Sequence, residues 1–167
     1  TGPILLQKEV VIGPDDTLGS LYFNHLFPMG VDAILEAVDL VRDGTALRLN
    51  QDRAKGSYEG WCQRTDVEID WAQSMDVVYN LIRGANPQPG AWTTLNGHTV
   101  TILDSKKAIG FANIEPGSVA EVDTDGVSIG CMDGAVRVEK FKPEGAGKMS
   151  AKEFLEHYRI EPGARFG

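Results

Sequence analysis

Apolar residues recur along this chain with different periods, and each period predicts a different kind of structure. Ile4 to Ile12 reads as a strand, closed by Gly13-Pro14. Asp15, Asp16 and Thr17 follow, any of which is placed to cap a helix, and Leu18, Leu21 and Tyr22 then begin a helical face. Pro28 and Gly30 interrupt that face, which predicts a kink or two helices. Val31, Ile34, Leu35, Val38 and Val41 next mark an apolar stripe at helical spacing, ended by Gly44. A strand with one or two helices cannot bury both faces alone. This segment therefore reads as the last strand and helix of a larger α/β layer.

From Thr45 to about Glu68 the periodicity disappears, and Gly, Asp, Lys, Arg and Gln accumulate, as in a linker wrapping a surface. Within it, Ser57-Tyr58-Glu59-Gly60 is the only β-leaning piece. Order returns at Ile69. Val78, Leu81 and Ile82 fall at helical spacing behind Ser74, a capping residue. Gly84 offers a left-handed stop, and Pro87 with Pro89 forbids the helix from resuming. Gly90 frees the backbone just before a β-leaning run begins at Trp92.

Beyond that hinge the runs Trp92–Leu95, Thr99–Leu103, Ser118–Val122, Val127–Cys131 and Ala135–Phe141 alternate in polarity. Asn96-Gly97, Asp125-Gly126 and Asp133-Gly134 provide hairpin chemistry between them. Five short strands of this kind predict a small barrel. Lys148-Met149-Ser150 leads to a last helix from Ala151 to about Tyr158, and Pro162-Gly163 ends it. The expected domains are 1–44, the end of an α/β domain; 45–68, a linker; and 69–167, a β-barrel module.

The apolar content, 42% of 167 residues, is sufficient for a packed core. No run is long enough to span a bilayer as a helix, and no signal-peptide pattern opens the chain. A start at Thr1, without Met and in the middle of an apparent strand, points to a processed or truncated product. Cys62 and Cys131 allow one bridge, but free thiols in a reducing cytoplasm are the expectation. The net charge is −8, with six basic and eleven acidic residues before Ile69 and ten and thirteen from there on. That balance argues against a nucleic-acid binder, which draws its affinity from a basic footprint. Arg137, Lys140, Lys142, Lys148 and Lys152 form the one local exception.

Little in the sequence has catalytic or metal-binding spacing. His25, His98 and His157 lie in different elements, so no zinc set converges. The glycines between Gly110 and Gly117 lack the strand and helix context of a phosphate loop. Asp15-Asp16 and Asp123/Asp125 flank turns, where solvated residues are expected. Arg83 is more informative. It ends a helix before a glycine and an Asn-Pro turn, where a guanidinium can hold terminal carbonyls or a carboxylate. Two roles are open to it: pinning the hinge to a neighbour, or lining, with Asn86, a cleft where an acceptor substrate enters. Trp71 and Trp92 are core or interface aromatics first and stacking platforms second.

Several of these residues together carry a family resemblance. Ile69-Asp70-Trp71, Ile82-Arg83, Asn86-Pro87-Gln88-Pro89-Gly90-Ala91, Pro116-Gly117 and Asp133-Gly134 resemble the C-terminal module of the folate-dependent formyltransferases. Thr1-Gly2-Pro3-Ile4-Leu5 resembles that family's Asp-Thr-Gly-x-x-Leu motif, begun one residue late. The resemblance implies an α+β chain: the end of a Rossmann-like α/β domain, strand plus helix, then a linker and a small OB-like β-barrel. It implies a cytoplasmic one-carbon enzyme whose formyl donor, 10-formyltetrahydrofolate, is bound mainly by an upstream catalytic domain of the same protein. The acceptor would be a small-molecule amine or water.

In such enzymes an Asn and the His of a His-Pro-Ser motif polarise the formyl group and stabilise its oxyanion, while an Asp tunes the proton transfers. The Asp immediately precedes the family's Thr-Gly, so none of the three is in this chain. The chain alone is therefore expected to be inactive, with no catalytic residue and no metal of its own. Thr1 and Gly2 would stand beside the chemistry, and Arg83, Asn86 and Trp92 on the substrate side. Ser57-Tyr58-Glu59-Gly60, Ile82-Arg83-Gly84 and Pro89-Gly90-Ala91-Trp92 look closest to the formyl-folate hydrolase type, with tRNA an unexpected partner for so acidic a chain. Methionyl-tRNA or sugar-nucleotide formyltransferase is the alternative within the family. Outside it stand a free-standing OB-like binding module for RNA, sugar or protein and a fragment that only completes a partner chain.

Overall fold

A computed structural model describes residues 2–111 and 113–167. The chain is α+β and divides into two compact units, one ending at Trp61 and the other running from Cys62 to Gly167. The boundary falls inside the polar stretch that separates the two hydrophobic patterns.

In the first unit the expected strand over residues 4–12 does not form. Only Ile4 pairs, in an isolated antiparallel bridge to Leu49 with N···O distances of 2.8 and 3.0 Å. A strand is stabilised by its neighbours, and among the described residues of this unit Leu49 alone supplies one. The helical part is less broken than expected. Helices α1 (Leu18–Leu21) and α2 (Phe27–Arg42) are joined without a gap by a π turn over Tyr22–Leu26. Thr17 is the cap: its Oγ1 accepts from the Ser20 N–H at 3.0 Å, while Ser20 Oγ accepts from the Thr17 N–H at 3.0 Å. Pro28 falls in the first turn of α2 and Gly30 follows inside the helix, so neither interrupts it. The wide π turn, closed by the Phe27 N–H on the Tyr22 carbonyl, carries the chain into α2.

The second unit holds the core. A 3₁₀ turn at Arg64–Val67 precedes the Ile69 N–H, which donates to the Trp92 carbonyl at 2.8 Å. Helix α3 (Met75–Ala85) begins at Ser74, whose Oγ accepts from the Val77 N–H, and Asp133 accepts from the Met75 N–H at 2.7 Å. It turns Val78, Tyr79, Ile82 and Ala85 inward. Gly84 is not the stop; it lies within the helix, which ends where Asn86 becomes extended ahead of Pro87.

Among the described residues eight strands follow: β1 (Trp92–Leu95), β2 (His98–Ile102), β3 (Ser105–Ala108), β4 (Val119–Asp123), β5 (Gly126–Gly130), β6 (Ala135–Val138), β7 (Lys140–Pro143) and β8 (Met149–Ser150). They form two antiparallel four-stranded sheets, ordered β1-β2-β7-β8 and β3-β6-β5-β4. Among the described residues no ladder joins the two sheets into a closed barrel. The expected run Ala135–Phe141 breaks at Glu139 into a strand for each sheet. Strand β3, Ser-Lys-Lys-Ala, carries no hydrophobic alternation and is an edge strand with both lysines exposed. Helix α4 (Ala151–Tyr158) is capped by Ser150, with Glu153 reaching back to the Ser150 N–H at 2.8 Å. Phe154 of α4 stacks on Phe141 of β7 at 4.1 Å between centroids, and Phe166 closes the group.

Candidate functional site

Of the residues singled out by sequence, Arg83, Asn86 and Trp92 lie near one another along the chain, between the end of α3 and the start of β1, but each holds different partners. Arg83 stands in the last turn of α3, half-buried, and its Nε donates to Asn80 Oδ1 at 2.7 Å. Asn86 turns the other way. Its Nδ2 donates to the Leu103 carbonyl at 3.0 Å and to Asp104 Oδ1 at 3.2 Å, and Lys140 Nζ lies 2.6 Å from the other Asp104 oxygen. The helix end is thus tied to the β2–β3 connection through a charged, half-exposed group.

Trp92, first residue of β1, donates from Nε1 to the Arg64 carbonyl at 2.8 Å, and the Arg64 guanidinium sits 5.4 Å from the indole centroid. Its ring is therefore covered by a cation on one side. Trp71 is buried, with Nε1 donating to Thr93 Oγ1 at 3.0 Å. Gly90 has a φ of +85°, and a Cβ there would run into the Thr101 methyl at 2.6 Å; only glycine fits. The bend at Gly90 lets the Ile102 N–H reach the Ala91 carbonyl at 2.7 Å, which starts the first sheet.

Gly2 belongs to the first unit, where its carbonyl accepts from Gln51 Nε2 at 2.7 Å. Thr1 lies outside the described residues. Sequence reading missed the contacts of Arg64, Asp104 and Lys140. Arg64 opens a 3₁₀ turn, Asp104 lies in the β2–β3 connection and Lys140 opens a strand, and only the fold brings them to Trp92 and Asn86. The histidines stay dispersed, and among the described residues no group of His, Cys, Asp or Glu is arranged to hold a metal ion.

The displaced titrations have structural causes. Asp70 is held below the usual carboxylate range by the Gln73 amide and the Ala72 N–H. Asp123 is lowered by the Asp125 N–H and then by Arg137, and Glu153 by the Ser150 N–H and hydroxyl. All three are exposed: Asp70 before a turn, Asp123 at the end of β4 and Glu153 in the first turn of α4. Burial pushes the Cys131 thiol up to about 12, with the Asp133 charge adding to it. None of these groups is Arg83, Asn86, Trp92 or a hydrogen-bond partner of theirs.

Comparison with known proteins gives this module a lineage. Residues 62–159, nearly all of the second unit, match the family described as formyl transferase, C-terminal domain. The whole chain is 37% identical to methionyl-tRNA formyltransferase of Geobacter metallireducens and covers 53% of it. Over 122 residues, 73% of the chain, it is 43% identical to human mitochondrial 10-formyltetrahydrofolate dehydrogenase, of which it covers 13%. It spans about half the length of the bacterial relatives, and far less of the human one. The crystal structure of HypX from Aquifex aeolicus in complex with tetrahydrofolic acid superposes with a TM-score of 0.75 at 20% identity. That superposition covers 92% of this chain and 27% of HypX, a likeness of fold. By its sequence and by the domain that it contains, the chain belongs to the formyltransferase family.

Proposed function

We propose that this chain is the C-terminal portion of a folate-dependent formyltransferase or formyl-folate hydrolase. In this reading an upstream catalytic domain binds the donor, 10-formyltetrahydrofolate, and the second unit is an open OB-like module shaping the acceptor side. The observation that carries it is the uncovered apolar face of α2. Ile34, Leu35 and Val38 are 67, 62 and 58% exposed, and Leu5, Ile34, Ala37, Val38 and Val41 line an apolar hollow of about 310 Å³. A face of that kind calls for a covering layer. The bacterial relatives are about twice as long, and the matching domain is by description C-terminal, which supports an upstream covering layer.

Arg83 and Asn86 would shape the acceptor entrance, with Trp92 at its floor, while Thr1 and Gly2 rest on the resemblance alone. His-Pro-Ser occurs nowhere in this sequence, so the histidine expected to polarise the formyl group would belong to the upstream domain. The setting would be the cytoplasm, in keeping with two unpaired cysteines, Cys62 exposed and Cys131 buried. A turnover assay with 10-formyltetrahydrofolate tests the reading. The purified chain should release no product above buffer, and adding the upstream part of the same coding sequence should restore release. Turnover by the chain alone would refute it.

A second reading, methionyl-tRNA formyltransferase, is favoured by the Geobacter match along the whole chain. The charges speak for the hydrolase side. Of the basic group from Arg137 to Lys152, Arg137 is paired with Asp123 and Lys140 with Asp104. Lys148 precedes α4 rather than riding on it with Lys152. Few phosphate contacts remain, which leaves tRNA binding at about 10⁻⁴ M or weaker. Micromolar binding of tRNA at moderate salt would transfer the assignment.

A further inference from the structure

The outer face of the first sheet in the 62–167 unit carries a small polar hollow of about 150 Å³, lined by Arg64, Thr99, Thr101, Lys142, Glu144 and Gly145. We infer that this hollow binds a small phosphate monoester, with its phosphate between Arg64 and Lys142 and a hydroxyl of its organic part against Glu144. The inference rests on the sheet's geometry; it shares Trp92 and its partner Arg64 with the proposed acceptor side but does not require formyl transfer.

The register builds the hollow. Trp92 pairs with Thr101, and Thr101 pairs with Lys142. Directly paired residues of antiparallel strands share a face, so the indole, the hydroxyl and the ammonium stand in one row across three strands. The residues between them in sequence, Ala91, Thr93, Val100, Ile102 and Phe141, are buried on the opposite face. Thr101 is placed by its ladder, paired with Trp92 on one side and Lys142 on the other. Arg64 is held twice, by its carbonyl on the Trp92 indole N–H and by its guanidinium over the same ring. A donor fixed before the ligand arrives loses less side-chain freedom on binding.

Charge and shape together favour the hollow: among the described residues Lys148, Lys152 and Arg159 also form no ion pair, but Arg64 and Lys142 line one concavity. Lys106, Lys107, Arg137, Lys140 and Arg165 of this unit each sit on a carboxylate. Among the described residues no carboxylate lies within ion-pair distance of Arg64 or Lys142. Two cations without an ion-pair partner, two half-buried threonine hydroxyls and one carboxylate, Glu144, thus line one concave spot in a chain of net charge −8. A guanidinium fork, an ammonium and hydroxyl donors match the acceptor oxygens of a phosphate group. Glu144 decides the rest of the ligand. Its carboxylate opposes a second phosphate and accepts from a hydroxyl, which favours a compact hydroxylated monoester over a polyanion.

The test is a titration of the ¹⁵N-labelled full chain with glucose 6-phosphate and, separately, inorganic phosphate, at constant ionic strength. Expected are saturable shifts of the Thr99, Thr101, Lys142 and Gly145 amides and of the Trp92 indole N–H. Arg64→Gln and Lys142→Gln should each weaken binding at least about tenfold. Both side chains are exposed, and unchanged spectra elsewhere would show the variants folded. Glu144→Gln should abolish the preference for the ester over inorganic phosphate. Shifts that rise linearly without saturating, that spread over the other lysines, or that survive both cation variants would overturn the proposal. So would a short RNA oligonucleotide that moves the same amides at lower concentration than the sugar phosphate does.

Discussion

Helices α2 and α3 carry the same kind of amphipathic pattern and meet opposite fates. In α3, Val78 and Ile82 are 1 and 0% exposed, because β3 and β6 close over that face. In α2 the stripe of Val31, Ile34, Leu35, Val38 and Val41 stays about half exposed or more, with only the extended segment around Leu5 beside part of it. The contrast extends to the units: among the described residues up to Trp61 none is buried, whereas the unit from Cys62 onward contains the entire hydrophobic core. An apolar stripe states that a face is to be covered, and leaves open by what.

The largest expected consequence is in backbone protection. A domain with a closed core has a typical stability of about 5–15 kcal/mol, and its central amides exchange only through openings of that order. Protection factors in β2, β5 and β6 should be on the order of 10³ or greater. Amides of α2, whose helix is stabilised mainly by its own hydrogen bonds, should exchange far faster. Hydrogen exchange on the dilute chain measures both at once. Equal protection in α2 and β5, with dimerisation excluded, would erase the distinction between the units.

Within the core, Phe141→Ala should cost about 3–5 kcal/mol, since it removes the ring that Phe154 and Phe166 flank and leaves a cavity. Urea denaturation followed through Trp71 reads this loss. A cost under 1 kcal/mol would mean that the sheet and α4 collapse onto the gap.

Cys131 and Cys62 extend the comparison to pH. Cys131 is 1% exposed, and its thiol is raised from 9.0 to about 12 by burial first and by Asp133 second. The folded state therefore keeps a proton that the unfolded chain gives up. The stabilisation is whole below about pH 9 and drains away as the pH rises toward about 12. Denaturation midpoints of the wild type should fall over that window, and Cys131→Ala should remove this part of the fall. A thiol reagent at neutral pH should label the exposed Cys62 at once and Cys131 only on global unfolding.

How much of this was legible depended on whether a residue's neighbours were close in sequence. The Ser74 cap, the Asn96-Gly97 hairpin and the α4 helix are local, and local chemistry suffices to place them; the stop expected at Gly84 fell instead at Asn86, ahead of Pro87. Strand β3 was hidden because Ser105, Lys106, Lys107 and Ala108 have no apolar alternation; they are strand only because β6 offers a ladder. The reverse error at Ile4 to Ile12 has the same cause, a β-leaning run whose pairing stops after Leu49. Arg83, Asn86 and Trp92 could be singled out, but Asp104 and Arg64, which hold two of them, lie eighteen and twenty-eight residues away. Nothing in the spacing of those residues announces the contact.

The smallest expected effect is the sharpest test of what α2 is for. Ile34 and Val38 are more than half exposed, so replacing each by Ser removes little apolar area that the folded chain has withdrawn from water. Ile, Val and Ser also have similar helix propensities, so the backbone is nearly indifferent to the change. Ile34→Ser and Val38→Ser should each alter the stability of the isolated chain by no more than about 0.5 kcal/mol. Added to a protein in which an upstream domain covers the same face, each should instead cost about 1.5–3 kcal/mol, the value of a fully buried aliphatic side chain. Paired melts of the two forms give the difference directly. If the substitutions are as harmless in the longer protein as in this chain, the stripe is not a docking face. If they are already costly in the isolated chain, a second copy covers it, and the cost should then vanish on dilution.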